Sequence, residues 1–354
     1  MDTQMYRAAD VGSYVRKLIV ARYNAGDEDA LLMANSYVSA DLRGVHTHGI
    51  NLLSTVIDSR FNAGKINPKA EPQDITGRTS YNSFFALFDG NAGFGHRAAQ
   101  TATERTIKSA KEHGFGLTVV RNTNHYGSAE YYTLQMAEKG LIGFSSCTTV
   151  QWGRANEYSN KWLGTDPIAV AFPTSVRIFS FDGATTLIAA NNILRAYVQG
   201  DMQFPIPVFF NGQWSKDVYK FKDITELRSD GSIPMLGGPG GAEYKGGALC
   251  MALELLMHAD GTFETRNNFE PPTRHIFAAL RPDLQVDADT ALRNFANVVK
   301  DFRASGESVH VPGDERRKRF EHSNTNGIAY GTGDIEKLHA LGRQHNLEDL
   351  IPIG

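Results

Sequence analysis

An α/β protein is predicted, and three observations predict it. Short apolar runs of strand type recur from about residue 84 onward: FFALFD at 84–89, GLTVVR at 116–121 and IAVAF at 168–172. Longer stretches with apolar residues at helical spacing lie between and around them, at 98–113 and 129–139. The chain has 354 residues, 41% hydrophobic and 21% charged. That is an ordinary globular composition, and enough chain for two or three domains.

The elements follow in order. Residues 6–40 are helical in pattern: Leu18, Ile19, Ala21 and Tyr23 share a side, and Ala30, Leu31, Met33, Ala34 and Val38 repeat it after Gly26-Asp27. Residues 41–49 have no helical period, 50–63 are helical again, and 64–68 form a turn. Strands are expected at 84–89, 116–121, 142–147, 168–172, 176–181 and 275–280. Helices are expected at 98–113, 129–139, 247–258 and 287–304, the strongly apolar 247–258 as a central one. The stretch 204–245 reads as loop-rich, and the tail from Val311-Pro-Gly313 turns helical. No internal repeat or low-complexity tract is present.

The net charge of −3 gives no global pull toward nucleic acid or an anionic membrane. The basic run at 316–319 follows two acidic residues and reads as a solvated helix face. Two cysteines, Cys147 and Cys250, lie in apolar, small-residue surroundings outside any CxxC, as buried reduced thiols do. No apolar stretch approaches the roughly 18 residues of a membrane span, and the opening MDTQMYRAAD lacks the charged and apolar regions of a leader. A cytoplasmic protein is expected, with neither nucleic acid nor membrane as partner.

Gly93-Phe-Gly95-His-Arg-Ala98 fits the G-x-G-x-x-A dinucleotide fingerprint between a strand and a helix. The next strand should then end near an acidic residue that binds ribose hydroxyls, but it ends in Arg121-Asn122. A plain glycine turn is the other reading, and the missing acid favours it.

Two histidine segments carry chemistry. His46-Thr47-His48 is an H-x-H, whose side chains share a face if the segment is extended. The pair could open a metal site, although His96, His113, His258 and His275 are scattered and supply no second ligand motif. His46 alone also reads as a hydrogen-bonded loop residue. His48 has a hydroxyl beside it in Thr47 and a glycine after it, and an imidazole can exchange a proton with a carbonyl or alcohol oxygen near neutrality. His125 lies in Asn122-Thr-Asn-His-Tyr-Gly127, a polar cluster leaving a buried strand, where α/β proteins place ligands.

Taken together, the segments Asp41-x-Arg-Gly-Val-x-Thr-His-Gly49, 64–68, 89–95, 122–127, Gly164-Thr-Asp-Pro167, 181–185, Tyr244-Lys-Gly246 and Val311-Pro-Gly313 resemble the malate/L-lactate dehydrogenase family that lacks a Rossmann domain. Its members include ureidoglycolate and sulfolactate dehydrogenases, diketogulonate reductase and piperideine-carboxylate reductase. The resemblance implies a mixed-sheet, non-Rossmann NAD(P)-binding domain at 76–310. It also implies a helical domain built from both termini, 1–75 plus 311–354, in a homodimer. It implies a hydride exchanged between a nicotinamide cofactor and a small ketone, 2-hydroxy acid or imine. His48 would be the acid/base and His125 would lie near the reacting groups, with Thr47 and Asn124 holding substrate. Cofactor contacts would come from Ile178, Phe179, Ser180, Phe181, Asp182, Gly183 and Ala184, from Tyr244 and Lys245, and from Gly313, Asp314 and Glu315. NAD and NADP both fit; no basic pair is clearly placed for a 2′-phosphate, which favours NAD.

The sequence departs from the family at informative places. The arginine that grips the substrate carboxylate in His-Gly-x-x-Arg is replaced by Leu52, which has no donor. Arg43, Arg154 and Lys161 are the candidates to take over, unless the substrate lacks a carboxylate. The family's Gly-Thr-Asn-Pro carries Asp166 in place of the asparagine. Two other readings stay open: a metal-dependent hydrolase on His46 and His48, and a catalytically degenerate family member.

Overall fold

The computed structural model describes residues 3–77, 83–198, 201–262 and 272–353. The chain divides into two compact units. The first comprises 1–145, 170–181 and 277–354, and the second 146–169 and 182–276. Residues 76–145 therefore join both termini in one unit, a different division from the one the resemblance implied.

In the first unit the chain ends pair. Thr3–Tyr6 runs antiparallel to Ile328–Gly331, with Thr3 opposite Gly331 and Tyr6 opposite Ile328. The predicted helical stretch is two helices, Ala8–Tyr23 and Asp27–Leu42, separated by Asn24 in the left-handed conformation that ends a helix. Val11, Val15, Leu18 and Ile19 of the first pack with Met33, Ala34 and Tyr37 of the second. Ile335, Leu338 and Leu341 of helix Thr332–Arg343 complete this core from the far end of the sequence. Neither terminal segment could bury its apolar stripe alone.

A seven-stranded sheet runs in the order Gln73–Asp74, Phe85–Asp89, Phe115–Thr123, Thr273–Leu280, Ile142–Cys147, Ile168–Phe172, Phe179–Gly183. It is mixed: Phe85–Asp89 is parallel to Phe115–Thr123 and antiparallel to Gln73–Asp74. Parallel neighbours need a crossover, and helix Gly95–His113 provides it. The mixed α/β architecture matches the expectation.

The second unit corrects two expectations. The stretch expected to be loop-rich contains the hairpin Gln203–Phe210/Gln213–Asp217, turning at Asn211-Gly212, both with positive φ as tight hairpin turns require. Pro205 and Pro207 obscure it in the sequence; they are tolerated because the sheet has only these two strands, and the outer edge of Gln203–Phe210 is bridged only at Phe209, by Ser232, among the described residues. The apolar helix Glu243–Met257 is not central within its unit. Gly246, Gly247, Cys250, Leu253 and Met257 are buried on one side, while Leu249, Met251, Leu255 and Leu256 are exposed on the other.

Candidate active site

The site grows from the end of helix Asp27–Leu42. Asp41 is fully buried, and its carboxylate gathers the turn that follows. The Ile50 N–H and the Tyr330 hydroxyl donate to Oδ2 at 2.9 and 2.8 Å, and His46 Nδ1 pairs with Oδ1 at 2.9 Å. Gly49 lies against the same carboxylate, so close that a Cβ there would sit 1.9 Å from Oδ1. Residues 46–48 are held as a single 3-10 turn. His46 is thus committed to an internal anchor. Among the described residues no group of three His, Cys, Asp or Glu side chains could hold a metal ion, and the hydrolase reading finds no support.

His48 is the last residue of that turn. Its ring lies 5.8 Å, centroid to centroid, from the ring of His125 at an interplanar angle of 32°. Thr47 Oγ1 is 3.0 Å from His48 Nδ1. The Gly127 N–H donates to His125 Nδ1 at 3.0 Å. Neutral His125 therefore carries its proton on Nε2, where it can serve as a donor. Two histidines 77 positions apart in the sequence, as numbered, meet as neighbours.

Asn124 builds this arrangement from behind. It is 1% exposed. Its Oδ1 accepts from Arg60 Nε at 2.7 Å, and its Nδ2 donates to the carbonyls of Lys65, Ala92 and Gly93. A carboxamide engaged on both sides stitches three loops together, so the structure places it as a support for His125 rather than on an open surface. The sequence gives no role to Arg60, and marks Asp41 only as the first residue of the 41–49 motif. Arg60 sits in a helical stretch without a motif, just after a π-helical turn at Leu53–Ile57, a local widening common near functional sites.

The glycine motif is explained here too. A Cβ on Gly95 would lie 2.0 Å from the Asn124 carbonyl oxygen and 2.4 Å from that of His125. The helix that starts at Gly95 approaches the protein's own backbone, which accounts for the glycine without a Rossmann pyrophosphate. Gly95→Ala is expected to destabilise the protein by about 1–3 kcal/mol or more, read from the denaturant midpoint.

Leu52 was expected at the substrate. It has no exposed surface and packs in the core of the helical part with Leu53 and Ile57. This corrects the expectation: a side chain with no accessible surface contacts no ligand. Of the proposed replacements, Arg43 stacks over Phe320 at 4.8 Å and is partly buried. The other two belong to the second unit. Arg154 donates to Ser232 Oγ and to the Ser159 carbonyl and lies over Phe209. Lys161 donates to the Arg228 carbonyl at 2.5 Å beside the Trp152 ring, and burial pushes its ammonium down to about 7. Asp166 is a buried acceptor for the Thr149 N–H, the Thr149 hydroxyl and the Cys250 thiol. Burial pushes that thiol far above its usual range, which keeps it protonated as a donor. Three donors on one side chain account for a carboxylate where the family has a carboxamide.

Two of the expected cofactor segments meet in the first unit. Gly313, at φ +87°, lies so close to Ser180 that a Cβ would be 2.8 Å from its hydroxyl. Ser180 donates to buried Glu130 at 2.6 Å, and Arg316 donates to the other Glu130 oxygen at 2.9 Å. Asp314 pairs with Arg177 at 3.0 Å and with Arg303 at 2.6 Å. Ile178 and Phe179 line a groove beside Asp314, Phe181 is exposed, and Glu315 pairs with Lys318 at the surface. The remaining segments lie in the second unit. Asp182 and Gly183 end the strand Phe179–Gly183, with Ala184 following. Tyr244 and Lys245 occupy the first turn of helix Glu243–Met257, exposed.

Solved structures share the whole fold. Malate dehydrogenase from Entamoeba histolytica superposes with a TM-score of 0.86 at 24% identity, over 99% of this chain and 100% of that one. In sequence, malate dehydrogenase of Pyrococcus abyssi is 32% identical over 353 residues, 94% of this chain and 92% of the relative. L-sulfolactate dehydrogenase of Methanocaldococcus jannaschii is 29% identical over 326 residues, covering 87% and 90%. The protein is therefore an oxidoreductase of the dehydrogenase and reductase class. More narrowly, the malate/L-lactate dehydrogenase sequence model matches residues 8–339, and the chain belongs to the malate/L-lactate dehydrogenase family.

Proposed function

We propose that the protein is an NAD(P)-dependent dehydrogenase or reductase acting on a small ketone, 2-hydroxy acid or imine, with His48 as its acid/base. The observation that carries this reading is the facing pair His48 and His125, held by a turn and a loop that both have internal anchors. A bound nicotinamide supplies the hydride. The chain's own residues supply the proton and the placement. In the direction of reduction, protonated His48 gives its proton to the substrate oxygen or nitrogen, and Thr47 orients that ring through Nδ1. His125, with its proton on Nε2, donates a hydrogen bond to the substrate or to the nicotinamide. The residues suit a nucleotide: the groove formed by 174–179, one face of helix Ala288–Ala304 and 311–314 has apolar walls and a cationic rim.

The same reading takes the protein as a cytoplasmic homodimer. Two buried free thiols support the reducing compartment. The apolar side chains exposed on Glu243–Met257 support association. No helix among the described residues is long and apolar enough to cross a membrane.

The family's arginine position is filled by a buried core leucine, so no cation from that position can grip a substrate carboxylate, and the preferred substrate is expected to lack a 2-carboxylate bound in that way. Steady-state rates with uncharged ketones, aldehydes and imines are expected to exceed those with pyruvate and oxaloacetate. Pyruvate or oxaloacetate turning over as fast as every uncharged compound would overturn that specificity. Failure to oxidise or reduce any of them while NADH and NADPH also fail to bind would overturn the dehydrogenase reading.

A further inference from the structure

Four cations converge on the groove beside the segments 178–181 and 313–315. Arg293, Lys300 and Arg303 stand on helix Ala288–Ala304 with Ala296 between them, and Arg177 faces them from the chain leading into strand Phe179–Gly183. The spacing i, i+3, i+7, i+10 puts the helical residues on one face. Asp314 is the single carboxylate among the lining residues. Both of its oxygens are taken, by Arg177 at 3.0 Å and Arg303 at 2.6 Å. Arg293 donates to the Thr290 hydroxyl at 2.8 Å. Neither Arg293 nor Lys300 forms an ion pair with a described carboxylate, although Asp287 lies close enough to be stabilised by Arg293. Ile178, Phe179, Val311 and Pro312 supply apolar wall below this rim.

Dinucleotide sites distinguish their cofactors at the adenosine ribose. A free carboxylate accepts hydrogen bonds from the 2′- and 3′-hydroxyls of NAD, whereas cations receive the 2′-phosphate of NADP. Here both oxygens of the one lining carboxylate are engaged by guanidiniums, and two further cations remain. A guanidinium and an ammonium about two turns apart on one helix face suit a phosphate dianion, and an apolar wall suits a purine. We infer that this groove seats the 2′-phosphorylated adenosine of NADP, which makes the protein an NADP enzyme. The inference rests on the dehydrogenase reading and goes beyond it by selecting the cofactor.

Binding to the intact protein tests it without turnover. In titration calorimetry, adenosine 2′,5′-bisphosphate is expected to bind at least tenfold more tightly than 5′-AMP. By nucleotide fluorescence, NADPH is expected to bind at least tenfold more tightly than NADH. The double substitution Arg293→Ser with Lys300→Ser, both on an exposed helix face, is expected to lower the NADPH-to-NADH affinity ratio at least tenfold. Arg293→Lys should restore part of it. NADH binding as tightly as NADPH, or a ratio unchanged in the double variant, overturns the inference and leaves the dehydrogenase reading standing. Binding of neither dinucleotide overturns both.

Discussion

His48→Ala is expected to lower turnover by about 10²–10⁴-fold, the usual worth of a positioned acid/base, with dinucleotide affinity largely retained. The separation of effects follows from placement. His48 stands on a turn whose geometry is set by Asp41, Gly49 and Tyr330 rather than by its own side chain, so truncation leaves the turn in place. The residues proposed for the adenosine end of the cofactor lie on a different helix and loop of the same unit. The space left by the imidazole also allows a sharper test. Added imidazole is expected to restore part of the lost rate in His48→Ala, because a proton donor and not a structural contact has been removed. Near-normal turnover in the variant would end the assignment.

Asp41→Leu is expected to cost about 3–5 kcal/mol of stability, because it strands two buried donors and a partly exposed third at once. The Ile50 N–H, the Tyr330 hydroxyl and His46 Nδ1 would all lose their acceptor. Asp41→Asn should cost only about 1 kcal/mol. Its oxygen can take the two donors on the Oδ2 side, and its NH₂ can face His46 Nδ1 once that ring moves its proton to Nε2. The pH dependence separates charge from hydrogen bonding. Burial raises the Asp41 carboxyl above its ordinary value, with His46, Ile50 and Tyr330 pulling it back. A carboxyl raised in the folded state contributes stability that is fully present below its unfolded value and lost as pH rises through the folded one. The stability gap between wild type and Asp41→Asn is therefore expected to narrow as pH rises from about 4 toward neutrality. Chemical denaturation at several pH values measures this, and a gap that widens would mean that the ionised carboxylate stabilises the turn on balance. Since the turn carries His48, the leucine variant should also lose turnover at temperatures where it remains folded.

Particular residues show which parts of this were readable in advance. Ile142–Cys147 and Ile168–Phe172 were legible to the residue because a short apolar run with no helical period has little alternative to a buried strand. The Gln203–Asp217 hairpin was not, because its prolines mimic loop chemistry and only an edge position makes them harmless. Thr3–Tyr6 and Ile328–Gly331 were missed for another reason. Each is four residues long and exists only by pairing with the other end of the chain. From the sequence Leu52 reads as a residue at the substrate; burial makes it core, so what position 52 contributes to specificity is only the absence of a cation.

The sequence alone determined most strands of the main sheet with the helices between them, the α/β class and, through motifs spread from 41 to 313, the family. Those depend on local periodicity and on residue types kept in register along the chain. It also marked His48 and His125 one by one. That their rings face each other was decided only in three dimensions, because it depends on the backbone approach that Gly95 permits and on the loops that Asn124 ties together. The cationic groove is the same kind of fact. Arg177 lies more than one hundred positions before Arg293 in the numbering, so no local pattern announces a phosphate site there. Charges act through space, and only the fold brings those side chains within reach of one another.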